Sequence, residues 1–156
     1  MRAVAQRVRE ARVTVSGEEV ASMGAGLLAL VGVEKGDAPA DALELARKLV
    51  HLRVFADAEG RMNLSLLDTG GSLGVVSQFT LLGDARQGRR PSFVEAAPAP
   101  EAEALIEQLA EAARDAGCAT CREEADLEGQ KALHGRAPSR CLIAAVRATR
   151  CRACLG

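Results

Sequence analysis

Gly26-Leu27-Leu28-Ala29-Leu30-Val31-Gly32-Val33, broken by Lys35-Gly36-Asp37 and followed by the segment Asp41–Leu52, decides the fold class. The first stretch is an uninterrupted apolar run of strand length, which reads as a strand buried on both faces. The second places Leu45, Leu49 and Leu52 on one side at i, i+4, i+7 spacing, with Ala42 and Ala46 beside them. That is an amphipathic helix with one face to bury. A fully buried strand needs neighbours on both edges, and the flanking sequence offers them. Ala3–Val8 and Arg12–Val15 read as strands before it, with Ser16-Gly17 as a turn and a short return strand at Glu19–Ala21. Downstream, Asp57-Ala58-Glu59-Gly60 reads as a hairpin-type turn between Arg53–Phe55 and an alternating strand over Met62–Leu66. Gly70-Gly71 turns the chain into a second buried strand, Leu73–Thr80. Gly83–Ser92 is a basic loop, and Pro98 and Pro100 precede a helix over Glu101–Ala116 with Leu105, Ile106, Leu109 and Ala113 inward and Gly117 as its stop. Hairpin-linked strands with two amphipathic helices give an α+β fold.

The 156 residues suit one domain. Hydrophobic residues make up 48% and charged residues 26%, which excludes a disordered chain or a coiled coil. The net charge of −1 argues against wholesale nucleic-acid binding by charge, and three Phe with no Trp or Tyr argue against a base-stacking platform. No export signal or membrane-length apolar run is seen, so the expected location is the cytoplasm. The chain divides after Gly117. The first part carries 13 Lys+Arg against 17 Asp+Glu, a net of −4; the last 39 residues carry 7 against 4, a net of +3, and all five cysteines.

The usual catalytic groups are absent. There is no nucleophile elbow, and only two histidines, His51 and His134, of which His51 sits in the first helix where a structural role is the simpler reading. No pair of carboxylates stands at a strand end. What remains is Ser77-Gln78-Phe79-Thr80, hydrogen-bonding side chains at the end of a buried strand, with Ser77 and Phe79 on one face and Gln78 and Thr80 on the other by alternation. On its own, this could equally be a strand fraying into solvent. Next comes Arg86-Gln87-Gly88-Arg89-Arg90-Pro91-Ser92-Phe93, three arginines around a glycine, either a phosphate-sized patch or a solvated basic loop.

These residues carry a resemblance. Met1–Val8, Gly32-Val33-Glu34-Lys35-Gly36-Asp37, Arg61-Met62-Asn63-Leu64-Ser65, Val75–Leu81 and Gly88–Phe93 stand in the order and spacing of D-aminoacyl-tRNA deacylases, over about the first 117 residues. The resemblance implies a compact β-barrel-like α+β fold and a cytosolic homodimer with its site at the subunit interface. It implies hydrolysis of the ester joining a D-amino acid to the tRNA 3′ end, or glycine mischarged on the alanine tRNA, with L-aminoacyl-tRNA rejected. It also implies Ser77, Gln78 and Thr80 as catalytic residues, and Phe79, Gln6, Met62, Asn63, Arg86, Arg89, Arg90 and Pro91 as substrate-binding ones. No cofactor or metal is expected, and no membrane or DNA partner. The missing histidine base fits a reaction in which the terminal adenosine's own 2′-hydroxyl helps to activate water, while the protein supplies positioning and backbone donors. Thr80 as a nucleophile is the second choice, because nothing nearby activates it.

Residues 118–156 depart from the family pattern. Its second signature, Asn-x-Gly-Pro-x-Thr with a cis Gly-Pro bond that excludes L side chains, has no counterpart. The nearest stretch is Gly135-Arg136-Ala137-Pro138-Ser139, so Ala137 and Pro138 are the candidates for chiral discrimination, with a methyl group where the family has none. Three readings stand. The tail is the product of a reading-frame shift, since codons exist by which Arg136–Cys141 read one frame over encode Gly-Pro-Val-Thr-Leu. Or Cys118-x-x-Cys121 and Cys151-x-x-Cys154 form a zinc site. Or the tail is diverged, with Leu142–Val146 completing the sheet and His134 and Pro138 in a loop before it. Besides the deacylase, two rivals follow: a non-catalytic protein binding the tRNA acceptor end, and a zinc-bearing structural module.

Overall fold

The computed structural model describes residues 1–15, 18–86, 88–122, 131–136 and 143–147. In chain order these form β1 (Arg2–Val8), β2 (Glu10–Val15), β3 (Glu18–Met23), β4 (Gly26–Gly32), α1 (Pro39–Val50), β5 (Phe55–Ala56), β6 (Met62–Leu64), α2 (Leu66–Thr69), β7 (Ser72–Ser77), a 3-10 turn (Phe79–Leu82), α3 (Ala99–Asp115), β8 (Ala119–Arg122), β9 (Lys131–Arg136) and β10 (Ile143–Arg147).

β4 is the central strand of the main sheet, and its apolar run explains why. The five-stranded sheet has the order β10-β1-β4-β7-β8. β1 runs antiparallel to β4 and β10, whereas β4, β7 and β8 are parallel. Met1, Ala3, Ala5, Leu27, Ala29, Val31, Leu73 and Val75 face one side and meet Leu45 and Leu49 of α1 and Leu109 and Ala113 of α3 in the main core. The opposite face carries Val8, Leu28 and Val76, covered by Ala11 of β2 and Met23 of β3. Period-2 alternation thus divides each inner strand between a helix layer and a second sheet.

That second sheet has the order β3-β2-β9, and β5 and β6 make a separate hairpin. The expected barrel-like sheet is not closed: among the described residues the three sheets stay distinct, and the β3-β2-β9 sheet packs on the main one. At Gly74 the layers meet closely, and an added Cβ would lie 2.5 Å from Met23 Sδ.

The helices start as their sequences require. Pro39 occupies the first turn of α1, and Asp41 Oδ2 accepts the Ala38 N–H at 2.8 Å, satisfying a donor that the helix itself leaves unpaired. Gly117 ends α3 at φ 86, a left-handed conformation that glycine adopts without a Cβ penalty. The expected strand over Met62–Leu66 stops at Leu64. Ser65 instead caps α2: its Oγ accepts the Asp68 N–H, and Asp68 Oδ2 accepts the Ser65 N–H at 2.8 Å. This adds a third, four-residue helix to the two expected.

In the tail, β10 pairs with β1 from Arg2↔Arg147 to Gln6↔Ile143, so the strand expected near Leu142–Val146 does extend the sheet. His134 lies in β9, opposite Arg12, rather than in a loop, because β2 offers a free edge for pairing. The Ser16-Gly17 turn, Gln87, the Ala137-Pro138 pair and Cys141, Cys151 and Cys154 lie outside the described residues.

Candidate functional site

β4 and β7 are parallel, so their C-terminal ends open at the same edge of the sheet. Val31 pairs with Ser77, and the Gln78 N–H donates to the Val31 carbonyl at 2.8 Å. That bond is the last of the ladder. The expected strand through Thr80 ends here, and residues 79–82 coil into a 3-10 turn, with Leu81 N–H donating to the Gln78 carbonyl at 3.3 Å and Gly83 N–H to the Thr80 carbonyl at 3.1 Å. Gly32 leaves room for it. The turn sits over Gly32, where an added Cβ would lie 3.1 Å from the Gln78 carbonyl oxygen and 3.3 Å from Leu81 Cβ. Only a glycine at the end of β4 leaves that space.

Alternation already put Gln78 and Thr80 on one face, and the turn draws them into direct hydrogen-bond contact. Gln78 Nε2 donates to Thr80 Oγ1. A hydroxyl that accepts this bond keeps its own proton for another acceptor. Ser77 and Thr80 are exposed, and Phe79 is 56% exposed. Phe79 meets Phe93 edge to face, with ring centroids 5.3 Å apart at 72°. Val94 beside it is 65% exposed, so an apolar shelf borders the polar segment.

The basic loop follows at once. Asp84 and Ser92 exchange two backbone hydrogen bonds of 2.8 Å, closing residues 85–91 into a loop. Arg86 turns back within it. Its Nη2 lies 2.6 Å from Asp84 Oδ2 and its Nε 2.9 Å from Oδ1, a bidentate pair. This fork, helped by the Arg86 N–H, holds the Asp84 carboxyl down at about 2. Of the expected trio of phosphate-binding arginines, only Arg86 has a carboxylate partner among the described residues of the loop. Arg86 is committed to Asp84, while Arg89 and Arg90 are exposed and, among the described residues, make no ion pair. Pro91 is exposed between them and Phe93.

Behind the loop, Arg2 reaches across from β1. Its Nη1 donates to the Leu81 carbonyl at 2.9 Å and its Nη2 to Glu34 Oε1 at 2.8 Å. Arg2, Glu34, Asp84, Arg86 and Glu95 line an open cleft beside the turn. With three carboxylates against two guanidinium groups, the cleft itself does not favour an anion. Sequence reading missed Arg2, although it lies within the N-terminal motif. Nothing in the motif shows that the side chain grips a carbonyl 79 residues away.

Other expected site residues stand apart. Gln6 pairs with Leu28, which pairs with Gly74, three residues before Ser77. That offset is about 10 Å along the strands, and two strand spacings add about 10 Å across them. Asn63 is clamped by Arg53, whose Nε donates to its carbonyl at 2.7 Å and whose Nη2 donates to its Oδ1. Met62 is 58% exposed on the same hairpin. The segment leading into the hairpin is tied to Arg7, which donates to the Val54 carbonyl at 2.7 Å, at the end of β1 remote from Arg2. Among the described residues no hydrogen bond joins Gln6, Met62 or Asn63 to residues 77–80.

Of the cysteines in the zinc reading, Cys118 stands just before β8 and Cys121 within it, and Cys151 and Cys154 lie outside the described residues. Cys118 is buried in the main core at 4% exposure, and burial pushes its thiol up from the ordinary value. Cys121 lies in β8, extended and paired with Gly74, not in the tight turn that such knuckles use. Among the described residues no three His, Cys, Asp or Glu gather around a common point.

Against this geometry stand the likenesses to known proteins. The family model described as D-Tyr-tRNA(Tyr) deacylase matches residues 4–127. The chain belongs to that family. The deacylase family includes a D-aminoacyl-tRNA deacylase of Thermomicrobium roseum, 58% identical over 117 residues, which are 75% of this chain and 76% of the relative. Another, from Myxococcus xanthus, is 56% identical over 117 residues, with the same coverage of both chains. Among solved structures, the c-Myc DNA Unwinding Element Binding Protein superposes with a TM-score of 0.84 at 28% identity, covering 96% of this chain and all of that one. A probable eukaryotic D-amino acid tRNA deacylase shares the fold alone, at a TM-score of 0.74 and 15% identity over 93% of this chain and 98% of its own. The deacylase match ends at residue 127, before Ala137 and Pro138.

Proposed function

We propose that this chain hydrolyses the ester linking a D-amino acid to the 3′ end of tRNA. The observation that carries the reading is the placement of Ser77, Gln78 and Thr80. They stand at the end of a parallel strand pair, beside an exposed aromatic shelf, in a chain that is more than half identical over 117 residues to proteins named D-aminoacyl-tRNA deacylase. Placing polar groups on the end of a buried strand is a cheap way to preorganise them.

The chemistry follows from what the site holds. Water attacks the ester carbonyl, the carbonyl oxygen takes up negative charge, and the ribose oxygen leaves. Among the described residues no histidine or carboxylate is hydrogen-bonded to residues 77–80 to act as general base, and the neighbouring Glu34 and Asp84 are held by Arg2 and Arg86. The substrate's 2′-hydroxyl takes that part, and the protein contributes orientation and donors. Thr80 suits the donor role better than the nucleophile role. Gln78 donates to its oxygen, which lowers its nucleophilicity and leaves its proton directed elsewhere. Phe79, set by Phe93, offers a face for the terminal adenosine, and Arg89 and Arg90 reach tRNA phosphates.

A homodimer belongs to the same proposal. Gln6, Met62 and Asn63 stand away from residues 77–80 within one chain, so any part they take in the site is supplied by the partner subunit. Glycine mischarged on the alanine tRNA is a second substrate of the same site, and Ala137-Pro138 the element that meets L side chains. Among the described residues no helix is long and apolar enough to cross a membrane, and a cytoplasmic location is part of the proposal.

The test is deacylation of D-Tyr-tRNA by the wild-type protein and by Gln78→Ala and Thr80→Ala. Loss of one oriented donor costs about 10²–10³ in rate. Full activity in both variants removes the assignment. A wild-type protein that binds D-Tyr-tRNA without turning it over favours instead the non-catalytic acceptor-end binder.

A further inference from the structure

We propose that Arg2 is a positioning residue, which fixes the turn displaying Phe79 and Thr80 by holding the Leu81 carbonyl. The inference rests on the deacylase reading for its consequence, but not for its geometry.

A 3-10 turn of four residues has little stability of its own. It leaves carbonyls at its C-terminal end without partners inside the turn. Here the Thr80 carbonyl is taken by the Gly83 N–H at 3.1 Å, and the Leu81 carbonyl is taken by Arg2 Nη1 at 2.9 Å. Arg2 can act as a fixed point because its other Nη is held 2.8 Å from Glu34 Oε1. Glu34 is itself anchored: it makes a β-bridge to Ala96, and its N–H donates to Asp37 Oδ2 at 2.6 Å. Gly32 is the cross-strand neighbour of Arg2, and its missing side chain leaves the turn's backbone within reach. The guanidinium thus ties three pieces of chain that local sequence does not connect: the start of β1, the segment after β4 and the turn after β7. A planar fork with donors on both sides suits this task, whereas a lysine can hold only one partner in line at a time.

A role as a tRNA phosphate ligand is disfavoured by the surroundings. Glu34, Asp84 and Glu95 share the cleft with Arg2, and a phosphate there would face three carboxylates. Arg2 also differs from Gln78 and Thr80 in kind. It acts through the turn's backbone, so its removal should loosen the segment without removing any group that meets substrate.

The experiment compares wild type, Arg2→Gln and Arg2→Lys by amide hydrogen exchange and by single-turnover and steady-state deacylation of D-Tyr-tRNA. In Arg2→Gln, exchange at the Leu81 and Gly83 amides should speed by about ten-fold or more, while the Ala29 and Val75 amides of the inner strands keep their protection. In the same variant kcat should fall roughly ten- to a hundred-fold with KM within about two-fold, as expected when a site is misplaced rather than unbound. Arg2→Lys, which keeps the charge and one bond, should recover part of both effects. Unchanged exchange at Leu81 and Gly83 overturns the proposal whatever the activity, as does an equal loss of protection at Ala29 and Val75. Faster exchange with wild-type kcat overturns the positioning role. If the wild-type protein shows no turnover, the deacylase reading fails, and the exchange measurement still decides whether Arg2 holds the turn.

Discussion

Replacing Gly32 by Ala puts one methyl group between the main sheet and the turn that carries the site. The ideal Cβ would lie 3.1 Å from the Gln78 carbonyl oxygen, 3.3 Å from Leu81 Cβ and 3.4 Å from Leu82 Cγ. Comfortable carbon contacts run at about 3.5–4.0 Å, so the turn must retreat by a few tenths of an ångström. Two of the three neighbours cannot rotate away, being a backbone oxygen and a Cβ. Overpacking of this kind costs about 1–3 kcal/mol, and the lower end applies because the turn borders solvent. The effect on catalysis should be larger than the effect on stability. A misplacement of 1 Å costs about 10²-fold, so a shift of a third to a half of that costs roughly ten-fold in kcat. Gly74→Ala is the matched control. Its Cβ would meet Met23 Sδ at 2.5 Å and Leu28 Cδ1 at 3.0 Å, between the two sheets and away from the turn. Both atoms are the ends of flexible side chains that can turn aside, so the substitution should lower the thermal midpoint modestly while leaving kcat within about two-fold. Thermal unfolding of both variants, with deacylation of D-Tyr-tRNA below the transition, makes the comparison. Wild-type activity in Gly32→Ala, or an equal loss of activity in Gly74→Ala, refutes the claim that the turn's position on Gly32 sets the site.

Three further outcomes follow from the charges and the thiol. Double replacement of Arg89 and Arg90 by Ala should weaken tRNA binding and lower the slope of log K against log salt by about 0.7–0.9 per lost contact, whereas Arg86→Ala, already paired to Asp84, should change the slope far less; binding titrations at several salt concentrations decide this. Asp84 has its carboxyl lowered from 3.8 to about 2 in the folded protein, so its pairing with Arg86 is complete above pH 4 and is lost as pH falls through about 2; carboxyl NMR shifts that instead titrate near 4 would contradict the fork. Cys118 is buried with its thiol raised above 9.0, so the neutral form is favoured in the fold and that preference is lost only as pH rises beyond the raised value. Iodoacetamide at pH 8 should therefore leave Cys118 unmodified in native protein and label it in denatured protein, as read by peptide mass.

The main layers were legible because their signals are periodic. The buried run of β4, the heptad-like spacing of Leu45 and Leu49 in α1, and Leu105, Ile106, Leu109 and Ala113 in α3 all face the core as their spacing requires. The end of β7 was less so. Ser77-Gln78-Phe79-Thr80 contains nothing that breaks a strand, and the turn depends on Gly32 from another strand and Arg2 from a third. Tertiary contact overrides local pattern there. The pairing of Arg86 was in principle readable, since Asp84 stands two residues away and loop carboxylates accept such bonds. So was α2, announced by Ser65-x-x-Asp68. The motifs containing Gln6, Met62 and Asn63 told of family but not of place. Linear order carries no information on which of them meet in one chain and which meet only across two.

The most direct measurement is single-turnover deacylation of tRNA charged with D-tyrosine and, in parallel, with L-tyrosine, using purified wild-type protein without added metal or cofactor. The account predicts release of D-tyrosine well above the spontaneous rate, since the polar end of β7 and its turn are in place. It also predicts that L-tyrosine is spared less completely than a Gly-Pro element would allow, because Ala137 adds a methyl group before Pro138. D-Tyr-tRNA that stays charged at the spontaneous rate, with saturating protein bound to it, would contradict the central claim.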